Sequence, residues 1–387
     1  MPAPPPRGAA PEPGNARQTP RSSTPEQRGR LAPSHESEAA RARGPLERTP
    51  VKVFIYHQFI ANPAIAEHNA RLAAANRLGQ HLQYLQDFYA YFRNFETTDP
   101  DEADFFFVPL FMAGWQFANH DPADFIALCA HVGRGRHVLL SSGDVGQRAE
   151  SRHELKMPGR AYEKKYAWLD DRFVLLALES TPLLHAQDVA FLPYAIRDIV
   201  PLNLPRDLFA SFMGAMSYSL LPPEHIRGHV MLQLKTRHAG DAGVLLGTVQ
   251  EVAAEQGRSL GYDEVMARSV FTLCPAGYGR WSFRFIEALL HGSIPVLLCD
   301  DYVMPFADQV RWDDYCIVVP EKDALATVET LRALPVERVT TLQANILRDR
   351  ARFMRPAVLD ALRRQLEGQR GQAVALAAAS TPEAVPA

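Results

Sequence analysis

The sequence predicts an α/β fold of two doubly wound domains, at roughly 51–200 and 201–345. Three observations carry that expectation. Short apolar runs recur without the alternation of a half-solvated strand, as in a parallel sheet covered on both faces. Helical patterns separate the runs. Pro201 and Pro205 stand in a polar stretch near the middle, the best candidate hinge.

The elements follow in order. Residues 1–50 hold 11 of the 30 prolines, no aromatic residue, and only Leu31 and Leu46 as large aliphatics. Such a segment buries too little apolar surface to offset its ordering entropy, so a disordered tail is expected. In the first domain, strands are expected at 51–56, 104–111, 137–141, 173–178 and 188–194, with helices at 65–93 and 123–131. Tyr84, Phe88, Tyr91, Phe92 and Phe95 recur at helical spacing and should pack that domain's core. In the second domain, strands are expected at 208–214, 270–274, 294–299 and 315–319, with helices at 224–234, 262–268, 281–291 and 321–334. One long helix is expected from 338 to about 369, its portion 346–370 packing back across the domains. The Ala- and Pro-rich stretch 371–387 reads as a second disordered tail.

Bulk properties exclude several classes. A net charge of -3 argues against a general nucleic-acid binder. Cys129, Cys274, Cys299 and Cys316 are too few and too scattered for a disulfide scaffold or a CxxC zinc site. No apolar run approaches the ~18 residues that span a bilayer, and the N-terminus lacks the apolar core of a signal peptide. The expected location is therefore cytoplasmic, with peripheral membrane association open.

The segment 270–298 carries the chemistry. A strand ending at Cys274, a glycine-bearing loop with Gly277 and Gly279, and a helix starting near Trp281 follow one another. Ligands of open α/β sheets bind beyond the carboxyl ends of strands, and a helix N-terminus suits a diphosphate. Ser282 offers a hydroxyl in the first turn, and Arg284 offers charge-assisted hydrogen bonds to phosphate. Glu287 is three residues on, where a carboxylate can accept both hydroxyls of a ribose. The bland alternative is a solvated ion pair beside a plain turn. Neither GxGxxG nor GxxxxGK[ST] is present at the loop, which weighs against a dehydrogenase or P-loop enzyme.

This segment resembles the centre of the exostosin family, glycosyltransferase family 47. The matching residues are Phe271, Leu273, Pro275 and Gly277; Ser282, Arg284 and Glu287; and Gly292, Ile294, Pro295 and Val296. Asp301, Tyr302, Pro305, Phe306 and Trp312 continue the likeness. Upstream and in the same order stand Thr98 to Pro109, Gly135-Arg136-His137, Asp144-Val145-Gly146, Asp188 to Tyr194, Arg206, Phe212-Met213-Gly214 and Arg227. The chain departs from the pattern at Arg136, Val145 and Met213, where the family commonly has Asp, Trp and Arg.

The resemblance implies a GT-B fold, with two Rossmann-like domains facing a cleft. It also implies an inverting transferase that moves a sugar from a nucleoside-diphosphate donor, UDP favoured by family habit, to a glycan or glycoconjugate acceptor. Gly277, Ser282, Arg284 and Glu287 would hold the donor, with Arg227 and Arg206 assisting. No DxD motif stands in a plausible metal-binding loop, so metal-independent transfer without a further cofactor is expected. Asp144, following the third strand, is the preferred general base, with His137 and His57 as alternatives. The remaining alternative is a catalytically silent member that binds glycan or scaffolds a partner glycosyltransferase.

Overall fold

A computed structural model describes residues 51–369 apart from 64, 68–69, 71–78, 112–121, 142–171, 179–186, 198, 217–225, 278–279 and 301. The expected tails, 1–50 and 371–387, and Asp144 lie outside the described residues.

Two five-stranded sheets organise the chain, and every described strand pair is parallel. The first runs β1 (Val53–Ile55), β2 (Phe105–Phe111), β3 (His137–Ser141), β4 (Phe173–Ala177) and β5 (Val189–Ala190), side by side in chain order. Both of its faces are buried. Phe105 and Phe107 enter one core with Val138 and Leu140, while Phe106 and Val108 enter another with Leu139 and Leu175. Burial on both faces is why these strands read as continuous apolar runs. Pro109 interrupts β2: without an N–H it cannot continue the ladder, and the register with β3 slips between Val108 and Phe111.

Helix α1 (Gln58–Ala61) follows β1, and α2 (Gly79–Phe92) covers the first core with Tyr84, Phe88 and Phe92. Tyr91 and Phe95 pack against that core only partly buried. Helix α3 (Pro122–Leu128) closes the second core through Phe125.

The second sheet contains β6 (Leu208–Met213), β7 (Val244–Gly247), β8 (Ser269–Pro275), β9 (Ile294–Leu298) and β10 (Ile317–Val319), in the order β10-β9-β8-β6-β7. From β6 the chain winds outward to β7, then returns to β8 on the other side. That reversal is the doubly wound arrangement, and it places a topological switch point between β6 and β8. Helices α4 (Val230–Arg237), α5 (Val249–Gln256), α6 (Tyr262–Arg268) and α7 (Phe283–His291) accompany these strands. Strand β7 and helix α5 are absent from the expectation above. A capping box marks the start of α5, with Thr248 Oγ1 accepting from Glu251 N and Glu251 answering at Thr248 N.

Past β10 come α8 (Thr327–Arg332), α9 (Val336–Asp349) and α10 (Arg355–Gly368). The single long helix expected from 338 is thus two, separated by a 3-10 turn at Arg350–Phe353. The break falls at Met354, the N-cap of α10, whose backbone is extended at φ -83° and ψ 155°; Pro356, in the first turn, has no N–H to donate and suits the start of a new helix. Helix α10 packs back on the first half of the chain. Arg355 donates to Asp87 Oδ1 at 3.3 Å and to the Ile196 carbonyl at 2.8 Å, and Arg363 Nε reaches Tyr91 Oη at 3.3 Å. All four cysteines are free and buried. No helix among the described residues is long and apolar enough to cross a membrane.

Candidate functional site

The site forms at the switch point, around the carboxyl ends of β6 and β8. Strand β8 is buried throughout apart from Val270, and its chain passes through Ala276 and Gly277 towards α7. Ser282 is the N-cap of α7, with extended backbone at φ -143° and no side-chain cap bond. The first-turn N–H groups of a helix lack intrahelical acceptors, and the helix dipole favours an anion there.

Arg284 projects from the first turn of α7 and is only 7% exposed. Its Nη2 donates to the Met213 carbonyl, at the end of β6, over 3.0 Å. Its guanidinium lies 4.2 Å above the Phe212 ring and 5.6 Å from the Tyr262 ring. Nε and Nη1 are buried and have no hydrogen-bond partner among the described residues. No carboxylate forms a salt bridge with Arg284 among them. A buried cation in that state is costly, and an anion supplying acceptors would relieve the cost.

Arg227 shapes the loop beside it. Its Nε donates to the Ala276 carbonyl at 3.1 Å and its Nη2 to the Pro275 carbonyl at 3.3 Å. Gly277 lets it in: a Cβ there would lie 3.3 Å from Arg227 Nη2. Arg227 and Arg284 both lie against the Phe212 ring, at 5.9 and 4.2 Å, Gly277 abuts Arg227, and Ser282 stands two residues before Arg284 at the start of α7.

Glu287 and Arg206 are placed otherwise. Glu287 does lie on α7 beside Arg284, yet it is not an open carboxylate. Arg197, from the segment joining the sheets, approaches it at 3.5 Å and also donates to Asp263 Oδ2 at 2.6 Å. Burial raises the Glu287 carboxyl above its ordinary pKa, opposed by Arg197 and Arg284. Arg206 does not join the group. It donates to the Ser269 and His291 carbonyls at 2.5 and 2.7 Å, at the start of β8 and the end of α7, which is the opposite, amino end of the strands. There it holds the exit of α7, where Gly292 adopts a left-handed φ of 75°. A residue that follows the order of a motif can still face the wrong end.

Phe212, Gly214 and Tyr262 complete the surroundings of Arg284 and are not anticipated as site residues. Their contacts with it are long-range in sequence, the Arg284–Met213 bond spanning 71 residues; Phe212 and Gly214 lie in a family-like stretch, but nothing in the sequence pairs that stretch with Arg284.

His137 is part of the core. It is fully buried, its Nδ1 donates to the Gly135 carbonyl at 3.0 Å, and its Nε2 accepts from Tyr56 Oη at 2.8 Å. Burial pushes its pKa down to about 4, consistent with a neutral ring bonded on both sides. His57, by contrast, has its side chain 48% exposed and follows β1.

These features define an α/β chain with a buried, incompletely partnered arginine at a helix N-terminus beside a topological switch point. The chain belongs to the exostosin family: the Exostosin GT47 domain model matches residues 47–334. Among its relatives, a probable glucuronoxylan glucuronosyltransferase of Arabidopsis thaliana is 27% identical over 283 residues, covering 65% of this chain and 60% of that protein. A probable β-1,4-xylosyltransferase of the same plant is 43% identical over 82 residues, covering 21% of this chain and 20% of its own. The chain spans about three-fifths of the length of the first of these relatives. A pneumococcal O-GlcNAc transferase solved with UDP and GlcNAc aligns over 68% of this chain and 56% of its own, at 10% identity and a TM-score of 0.39. That likeness is too slight to inform the fold or the site.

Proposed function

We propose that this chain is an inverting, metal-independent glycosyltransferase of GT-B type, taking a sugar from a nucleoside-diphosphate donor, UDP first, to a glycan acceptor. Family membership supports the class of reaction. One observation carries the donor site: Arg284, buried at the switch point with Nε and Nη1 unpartnered, beside the N-terminus of α7. A diphosphate there meets the guanidinium, the first-turn N–H groups and the Ser282 hydroxyl. As the anomeric carbon–oxygen bond breaks, negative charge grows on the leaving diphosphate, and these donors stabilise it without rearranging. They can do for the leaving group what a divalent cation does elsewhere. Glu287 would accept the ribose hydroxyls once the donor displaces or joins Arg197.

Xylose and glucuronic acid, the sugars named for the relatives, are the donors to try first. Titration calorimetry with UDP, GDP and their sugars in the presence of EDTA tests the reading. UDP binding that survives EDTA and is lost in Arg284→Ala is the expected result. No binding of any nucleotide would sink the proposal. Association with a membrane or a partner transferase belongs to the same proposal.

A further inference from the structure

The first half of the chain holds an ordered polar group and a cavity that the donor site does not use. His57 stands just past β1, where α/β sheets bind ligands. Its Nε2 lies within hydrogen-bond distance of Glu96 Oε1, and its Nδ1 lies 3.0 Å from Tyr89 Oη. An ionised carboxylate only accepts, so Nε2 carries the proton and donates to Glu96. Nδ1 of the neutral ring then accepts from the Tyr89 hydroxyl. Arg93 Nε lies 3.8 Å from Glu96 Oε2.

Tyr89 also lines a cavity of about 420 Å³, shared with Phe59, Ile60, Leu82, Leu85 and Pro109. Gln86 is the other polar residue on its wall. The walls suit an apolar group, and the polar side suits a hydroxyl. The same helix reaches the donor helix. Tyr84, on α2, stacks on Phe283 of α7 with ring centroids 6.1 Å apart and planes 9° apart. Tyr89 stands five residue steps beyond Tyr84, a rise of about 7.5 Å and a turn of about 140° around α2.

We propose that Tyr89, His57 and Glu96 form the proton relay that activates the acceptor hydroxyl, and that the adjoining cavity seats the apolar part of a glycoside acceptor. This rests on the transferase reading. The acceptor oxygen forms a bond to the anomeric carbon as that carbon's bond to the diphosphate oxygen breaks, the electron pair leaving with the diphosphate. The acceptor proton passes to the Tyr89 oxygen while the Tyr89 proton passes to His57 Nδ1. The resulting imidazolium faces the Glu96 carboxylate and returns its proton to water after product leaves. Tyr89 is the catalytic residue, and His57 and Glu96 position and polarise it.

The test uses the full chain, UDP as binding probe, UDP release from a panel of UDP-sugars as turnover, and octyl β-D-xyloside as acceptor probe. Tyr89→Phe and His57→Ala should each lower turnover at saturating donor by about 10²–10⁴-fold while UDP affinity stays within about twofold. Added imidazole should restore His57→Ala, which a merely structural histidine would not allow. Ile60→Arg, at a 42% exposed position on the cavity wall, should raise the KM for octyl xyloside and leave kcat alone. Wild-type turnover in Tyr89→Phe with UDP binding intact would overturn the relay and leave the donor site standing. So would loss of turnover confined to Asp144→Asn. A wild-type protein that binds or releases no UDP would overturn the transferase reading itself, and the relay with it.

Discussion

Gly214 and Arg284 are fitted to each other: a Cβ at position 214 would lie 2.5 Å from Arg284 Nη2. The missing side chain is what lets the guanidinium lie across Phe212 and reach the Met213 carbonyl. Gly214→Ala should therefore displace Arg284 from its seat. UDP affinity is expected to fall by about tenfold or more, the loss of one charge-assisted hydrogen bond. Calorimetry reads the affinity; an unchanged Kd would show that the seat does not govern binding.

Arg284→Met separates ligand binding from stability. Methionine keeps much of the apolar stem against Phe212 and Tyr262 while removing a buried, largely unpaired charge. Replacing buried ions by apolar groups is often neutral or stabilising. The free variant should melt at or above the wild-type temperature and bind no UDP. A melting temperature several degrees lower would mean that the Met213 hydrogen bond outweighs the desolvation cost.

His137 sets a pH dependence. Its folded pKa of about 4 lies below its ordinary 6.5, so its stabilising contribution is fully present above 6.5. Below 6.5 the unfolded chain takes up a proton that the fold refuses, and stability declines until about pH 4. The full span is worth roughly 3 kcal/mol by linkage. Urea denaturation at pH 7 and pH 4.5 should show a larger loss in the wild type than in His137→Gln. Equal losses would remove His137 from the account.

Leu362 tests the closing helix. It is fully buried on α10, whose neighbours in contact include Tyr91, Asp87 and Ile196. Leu362→Ala should cost about 2–5 kcal/mol through lost transfer energy and a cavity. Differential scanning calorimetry would register it as a clear drop in Tm, and a shift within error would place α10 outside the cooperative unit.

Much of this was legible where the information is local. The run Ser269–Pro275, the loop and the start of α7 announce themselves by apolar character, glycine and a serine cap, so Ser282 and Arg284 could be placed at the start of a helix following a buried strand. Strand β7 is only four residues long, Val244–Gly247, too short to show a period, although the Thr248 and Glu251 pair marks the helix after it. Strand β5 closes after Val189–Ala190: Phe191 N still donates to the Ala177 carbonyl of β4, while Leu192 and Tyr194 are buried by tertiary packing. The start of α10 is marked by Pro356. What stays hidden is non-local: Arg197 against Glu287, Tyr262 under Arg284, and Arg206 at the amino end of β8 all depend on which elements become neighbours.

The return of α10 onto the first half also sets an order of events during synthesis. Tyr91 and Arg363, or Asp87 and Arg355, meet only after nearly the whole described chain has been made. The side of α2 that carries Tyr91 and Asp87 therefore leaves the ribosome without its partner helix, and it must wait through translation of the entire second sheet before α10 covers it. A chaperone, or a slow ribosome, has its longest opportunity during that interval.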